Sequence, residues 1–345
     1  MDQWRNARRA AAIIAALIFS TSVAAADPVA DFYSSHKMTV LVGSDVGGGY
    51  DTLARLMARH LGKYIPGNPT LVVQNMPGAA SFIAANNVYN VAPKDGTVIG
   101  LVQRTILSAN VTKQSGVRFD VEKFSWIGNL DKETSFFLAW HDAPVKSAKD
   151  LFTAELVIGG GGPTSDSEVQ ARMLNALIGT KFKVVSGYPG QNQILLAMER
   201  GEVHGMGGWG WNNVQMHEDL LKTGKITLLL QCALDRLPQV PDLPTPFDFV
   251  KTDEDRKALE LFYLQQTVAR PVLSPPSVPA DRLAVLRSAF MTMASDEEFH
   301  KDAAKAKLEV SPSSYAEIEK VVHTISTTPR NVVDRLAKVV TPPGG

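Results

Sequence analysis

Four stretches of this sequence place glycines and small polar residues where a short β-rich run gives way to helical spacing. The first is Val40-Leu41-Val42-Gly43-Ser44-Asp45-Val46-Gly47-Gly48-Gly49-Tyr50-Asp51. Glycines let the backbone approach a bound molecule closely. The first N–H groups of the following helix lack intrahelical acceptors and sit at the positive end of its dipole, which suits an anion. The second stretch is Asn75-Met76-Pro77-Gly78-Ala79-Ala80, and the third is Gly159-Gly160-Gly161-Gly162-Pro163-Thr164-Ser165. The fourth is Tyr188-Pro189-Gly190-Gln191-Asn192. A glycine turn that only packs gives the same local pattern, and so does a Thr164 or Ser165 that only caps a helix. Four such junctions in one chain favour a shared binding site over four coincidences.

The candidate ligand-binding residues are therefore Ser44, Asp45, Gly47, Gly48, Gly49, Tyr50 and Asp51 in the first loop and Asn75, Pro77 and Gly78 in the second. Gly162, Thr164 and Ser165 come from the third, and Tyr188, Gly190 and Gln191 from the fourth. Arg104 and Thr105 follow a strand-like run; Arg104 is a counter-ion or an ion-paired residue. Trp209 and Trp211 stand among glycines in Gly207-Gly208-Trp209-Gly210-Trp211, where they form a cleft wall or pack one lobe. Micromolar affinity needs about 8 kcal/mol. A charge-assisted hydrogen bond contributes roughly 1.5–3 kcal/mol and a favourable helix end about 1–2 kcal/mol. Four such bonds and two helix ends hold a carboxylate without any arginine.

Other chemistries find no support. No Gly-Lys-Ser/Thr follows the first loop, as a P-loop requires, and the glycine spacing is not a dinucleotide fingerprint. There is no Gly-x-Ser-x-Gly elbow. His217-Glu218 lacks the second His of a zinc helix, and the other histidines are scattered. No catalytic residue, metal site or cofactor is expected. The 35 basic and 35 acidic side chains of the 345 residues balance, so no global field favours nucleic acid or a membrane surface. The single cysteine, Cys232, lies in the apolar run Ile226–Leu234 and reads as a small buried hydrophobe.

These residues need elements to hold them. Arg5, Arg8 and Arg9, an apolar run from Ala10 to Phe19 and the small residues Ala24-Ala25-Ala26 have the layout of a secretory signal peptide cut after Ala26. Met38–Val42, Leu71–Gln74 and Thr97–Val102 read as strands, with helices over Thr52–Tyr64 and Ser81–Val91 between them. The theme repeats with strands Glu155–Ile158, Phe182–Val185, Val203–Met206 and Ile226–Cys232. Helices Ser165–Ile178, Gln191–Arg200 and Val214–Lys222 alternate with them. Leu237–Pro246 reads as an extended connector. Helices are expected at Glu254–Gln265, Ala280–Ala294, Glu297–Ala306 and Ser314–Ala337. The fold class is α/β: two lobes with mostly parallel sheets flanked by helices. The expected division is 1–26 signal peptide, 27–135 with 239–345 as lobe 1, and 136–238 as lobe 2. Open α/β sheets bind ligands beyond the carboxyl ends of their strands, so two facing sheets make a cleft.

From about Met38 to near residue 335 the chain resembles the substrate-binding components of tripartite tricarboxylate transporters, the Bug family of periplasmic receptors. The matching landmarks, in order, include Gly47-Gly48-Gly49-Tyr50-Asp51, Val72-Val73-Gln74-Asn75-Met76-Pro77-Gly78-Ala79 and Asp95-Gly96-Thr97. Phe124-Ser125-Trp126-Ile127-Gly128, Tyr188-Pro189-Gly190, Gly201-Glu202-Val203 and Arg236-Leu237-Pro238-Gln239-Val240-Pro241 follow. The resemblance implies a type II-like Venus-flytrap that holds a small organic carboxylate largely by main-chain groups. It also implies delivery to a large and a small membrane subunit, in the periplasm, by a monomer that binds no nucleic acid. A sensory receptor presenting its closed form to a signalling partner, or a periplasmic enzyme of small acids, are the alternatives. Three departures stand out. Asp45-Val46 replaces the family's two prolines, Met76 replaces an arginine, and Ala80-Ser81 replaces a glycine pair.

Overall fold

The computed structural model describes residues 27–163 and 165–341. Met1–Ala26, expected to be a signal peptide, and Thr164 of the third glycine loop lie outside them. The helices among the described residues are α1 (Pro28–Ser35), α2 (Gly49–Leu61), α3 (Phe82–Asn90), α4 (Asp166–Leu177), α5 (Gln191–Glu199) and α6 (Trp211–Met216). They continue with α7 (Glu218–Lys222), α8 (Asp253–Leu264), α9 (Ala280–Ala294), α10 (Glu297–Lys305), α11 (Tyr315–Ser326) and α12 (Arg330–Val340).

The apolar runs that end in glycine become the middles of two sheets. In the first, β1 (Met38–Val42) lies between β2 (Leu71–Asn75) and β3 (Val98–Leu101), all parallel. β4 (Ser125–Asn129) belongs to the same sheet, next to β10 (Pro271–Ser274), which runs antiparallel to both β3 and β4. The two-residue β11 (Ser313–Ser314) closes the edge beyond β4. In the second sheet β6 (Leu156–Gly160) pairs parallel with β7 (Phe182–Ser186) and β8 (Gly205–Gly210). β5 (Ser135–Trp140) runs antiparallel to β8 and to β9 (Ile226–Cys232). The orders are β2-β1-β3-β10-β4-β11 and β7-β6-β8-β5-β9. Both sheets follow one plan: second, first, third, then an antiparallel strand that arrives from elsewhere, then the fourth.

Helical spacing explains the layers. α2 buries Leu53, Leu56, Met57 and Leu61, three and four residues apart, together with Val40 and Val42 of β1 and Phe290 of α9. On the other face α3 buries Phe82, Ala85 and Val88 in a core that continues into the second sheet through Phe137, Ile158 and Leu174. α12 buries Val332, Val333, Leu336 and Val339 and packs on both α4 and α8. Each such side chain contributes roughly 1.5–3 kcal/mol by leaving water, so the last helix is docked firmly.

The chain crosses between sheets twice, through residues 130–134 and again through 233–270, and the crossings lie side by side. Leu130 N donates to Arg270 O at 3.1 Å, Ala269 N to Asp131 O at 3.0 Å, and Glu133 N to Gln266 O at 2.9 Å.

Several expectations change. The helix expected over Ser314–Ala337 is two helices, because Pro329 has no N–H to continue the ladder and biases Thr328 away from helical backbone. The helix expected over Val214–Lys222 breaks at His217, whose φ −119° and ψ 32° leave the helical region. The connector expected to be extended folds into successive turns instead. Its backbone wraps the buried Gln231 amide, which accepts from Leu237 N and donates to Val240 O and Leu243 O. β4, β5 and β10 were not among the strands expected from the sequence. All six residues of β5 are buried, so the alternation that marks a half-exposed strand is missing.

Gly205 shows how tightly the second sheet is built: a Cβ there would lie 2.4 Å from the carbonyl oxygen of Leu138 on β5. Gly205→Ala is expected to lower stability by roughly 1–3 kcal/mol, read as a fall in the urea midpoint at unchanged slope.

Candidate functional site

The first loop is organised by a carboxylate of its own. Asp51, third residue of α2 and 2% exposed, accepts from Gly47 N at 2.8 Å, Asn75 Nδ2 at 2.9 Å and Arg55 Nε at 3.0 Å. Asn75 Nδ2 also donates to Ser44 O at 3.0 Å, and Arg55 Nη2 donates to Asn75 Oδ1 at 3.2 Å. The Arg55 hydrogen bond, with those of Gly47 and Asn75, holds the Asp51 carboxyl down at about 2 against burial. Gly47 N–H and the Asn75 amide, expected to meet a ligand, are thus engaged within the loop. Gly48 and Gly49 are exposed at the start of α2, and the Ser44 hydroxyl oxygen is buried without a partner. Asp45 is exposed.

The ends of β1 and β3 are tied together by one serine. Ser81 Oγ donates to Gly43 O at 2.8 Å, after β1, and accepts from Gln103 N at 3.1 Å, after β3. Gly78, Ala79, Ala80 and Ser81 all have positive φ (124°, 45°, 49° and 71°). Left-handed backbone costs a non-glycine residue roughly 1–2 kcal/mol, so the hydrogen bonds of Ser81 hold a strained turn beside the exposed Pro77 and Gly78.

The second sheet repeats the device. Glu168, third residue of α4 and buried, accepts from Gly162 N at 2.7 Å and from Ser186 Oγ at 2.6 Å. Ser186 ends β7 beside Gly160 of β6, as Asn75 ends β2 beside Val42 of β1. Ser165 N donates to Gly162 O at 2.8 Å, and Ser165 Oγ lies 3.2 Å from Ser167 Oγ. Tyr188 N donates to Gly160 O at 3.1 Å, and burial raises its phenol. Gly190 precedes α5, where Gln191 donates to Gly208 O and accepts from Asn213, both at 2.8 Å. Trp209 is a core residue at 2% exposure, while Trp211 is half-buried beside Phe136.

Arg104 joins the two sets of loops. At the carboxyl end of β3, it donates to Glu133 of the first crossing and, at 3.2 Å, to Asp166 at the amino end of α4. Arg104 is therefore ion-paired. Burial alone would raise Glu133, but Arg104 and Arg270 outweigh it and hold it low. Burial raises Asp166 despite Arg104, and Gln170 Nε2 donates to its second oxygen at 2.6 Å. Arg270 stacks over the Tyr50 ring at 4.3 Å and donates to the Tyr50 hydroxyl at 3.1 Å, which itself donates to Ala269 O. Burial pushes nearby Asp131 up to about 8, against Arg270. Thr105 is exposed and donates to Ala80 O at 3.3 Å. The structure so gathers the first, second and post-β3 residues at one sheet end, and Gly162, Ser165, Tyr188, Gly190 and Gln191 at the other.

The family of the tripartite tricarboxylate transporter receptor, TctC, matches residues 53–337. The chain belongs to that family. It is a solute-binding receptor with the type II periplasmic binding protein fold, and not an enzyme. A TctC solute-binding protein from Polaromonas superposes with TM-score 0.68 at 18% identity, covering 88% of this chain and all of that one. MatC from Rhodopseudomonas palustris, solved with bound malate, has TM-score 0.57 at 20% identity, covering 88% of this chain and 98% of that one. A UPF0065 protein in the TAR-I ttuE-ttuC' intergenic region of Agrobacterium vitis is 24% identical over 238 residues. That match covers 67% of this chain and only 66% of the relative's length.

Sequence reasoning missed the roles of Glu133, Glu168, Arg270 and Ser81 in this TctC receptor. An acid soon after each glycine loop, Asp51 and Glu168, was the available signal for one of them. Elsewhere, His60, Asp296 and Glu298 cluster, but Lys63 Nζ already lies 2.9 Å from Asp296 and 2.7 Å from Glu298. Burial pushes the Cys232 thiol up to about 12. No helix among the described residues is long and apolar enough to cross a membrane.

Asp51 ionises more readily folded than unfolded, so it adds stability above its ordinary value near 3.8, and that contribution fades as pH falls toward about 2. Asp51→Asn is expected to cost roughly 1–3 kcal/mol at pH 7 and to flatten the acid limb between these two pH values. Chemical denaturation at a series of pH values reads both effects.

Proposed function

We propose that this TctC-family receptor captures a small organic carboxylate between the glycine loops of its two sheets and delivers it to the large and small membrane subunits of a tripartite tricarboxylate-type transporter. The observation that carries the reading is the matched construction of the first and third loops. In each, an internal acid at the third helical position takes the early loop N–H and the neighbouring strand end. The later N–H groups at the start of α2, at Gly48 and Gly49, lack intrahelical acceptors, and the Ser44 hydroxyl of the same loop is buried without a partner. Malate bound to MatC supports a carboxylate as the ligand class.

The mobile units are 27–135 with 239–345, and 136–238, turning about the paired crossings near 130–134 and 266–270. Helices α8 and α12 pack on one another, and α12 also reaches across to α4 of the second unit. Tyr50, held to Ala269 and Arg270, ties the first loop to that hinge. Export by Met1–Ala26, with cleavage after Ala26, would take away three Arg and one Asp. That leaves 32 basic and 34 acidic residues on a monomer working in the periplasm.

A thermal-shift screen of the receptor against mono-, di- and tricarboxylates and aromatic acids tests this. A ligand at a hundred times its dissociation constant stabilises by roughly 2.7 kcal/mol; a response to sugars or metals with none to any acid defeats the reading. Gly48→Val is expected to keep the fold, since a Cβ there meets only Asp45 O at 3.6 Å. It should weaken the best acid about tenfold or more. Unchanged affinity in calorimetry removes the first loop from the site.

A further inference from the structure

Resting on the two mobile units described above, we infer that Arg104 with Asp166, and Gln215 with Glu309, form a latch that holds the units together before any ligand arrives. Arg104 belongs to the first unit and follows β3; Asp166 belongs to the second and opens α4, after β6. Both therefore lie at carboxyl ends of parallel strands, where the two sheets would part. Arg104 Nη2 donates to Asp166 Oδ1 at 3.2 Å, while its Nη1 is held by Glu133 of the first crossing. The second oxygen of Asp166 accepts from Gln170 Nε2, one turn further along α4, at 2.6 Å. Both partners are thus oriented by their own unit, and little side-chain freedom is lost when they meet. The two side chains are 18% and 33% exposed, so water screens the pair only in part.

The second contact joins other strands of the same two sheets. Gln215 lies in α6, which follows β8 in the second unit, and Glu309 precedes β11 in the first. One amide orientation of Gln215 satisfies both its neighbours: the amide nitrogen donates to Glu309 Oε1 at 3.0 Å, and the oxygen accepts from Trp211 Nε1 at 3.3 Å. In the first sheet β10 and β4 stand between β3 and β11. A single contact lets two bodies pivot about it, whereas two contacts on different strands also fix their angle. Gln215 is exposed, so its contact is the weaker and the Arg104–Asp166 pair carries most of the latch. Holding about nine receptors in ten closed needs roughly a tenfold preference. That is about 1.4 kcal/mol, less than one charge-assisted hydrogen bond typically contributes.

Small-angle X-ray scattering of the purified receptor with no ligand present tests this. The unaltered receptor is expected to give the scattering curve of the structure described above. Asp166→Asn leaves Arg104 paired with Glu133, and Gln215→Ala removes the second contact. The double variant, checked for fold by circular dichroism, is expected to show a larger radius of gyration, and Asp166→Asn alone most of that increase. A curve from the unaltered receptor that fits separated lobes overturns the latch, needs no variant, and leaves the two mobile units standing. An unchanged radius in the folded double variant overturns it as well. No ligand enters the measurement, so neither result bears on the carboxylate reading, which the thermal-shift screen decides separately.

Discussion

A buried carboxylate cannot stand alone, and this constraint shapes both the first and the third glycine loop. Asp51 and Glu168 each sit at the third position of a helix and draw polar groups from two directions, the preceding glycine loop and the end of the adjacent parallel strand. Left unpaired, such a group costs several kcal/mol. Satisfied, it fixes where the loop runs and hence where the remaining N–H groups lie. The glycines supply freedom, and the acids remove it.

The same reasoning applies where the sheets meet. Arg104 is held by a carboxylate from the crossing and another from the second sheet, and Arg270 is held by Glu133 and the Tyr50 ring. The groups that join the two sheets therefore form one connected charge cluster. These ion pairs share partners, so removing one charge leaves another buried and unpaired.

The turn from Gly78 to Ser81 shows how left-handed backbone is accommodated at residues other than glycine. Ala80 and Ser81 adopt left-handed backbone, which glycine would take without strain. The serine offsets part of that strain by bonding to the ends of β1 and β3. The strain is thus carried by a residue whose hydroxyl also ties two strand ends together.

Much of this was legible in the sequence because it is local. Apolar runs ending in glycine, helical spacing such as Leu53, Leu56, Met57 and Leu61, and the repetition of that unit determine the α/β class and the ends of strands where a ligand would lie. The order of family landmarks determines the kind of receptor. The tertiary structure alone decided what depends on groups far apart in the chain. Arg104 meets Asp166 across 62 positions, and Arg270 meets Tyr50 across 220. β10 enters the first sheet from the far side of the second, and β5, buried on both faces, loses the alternation by which a strand is read. Spacing encodes periodic burial of one face, but it carries no record of which distant charge will close on which, because that choice is made only when the sheets pack.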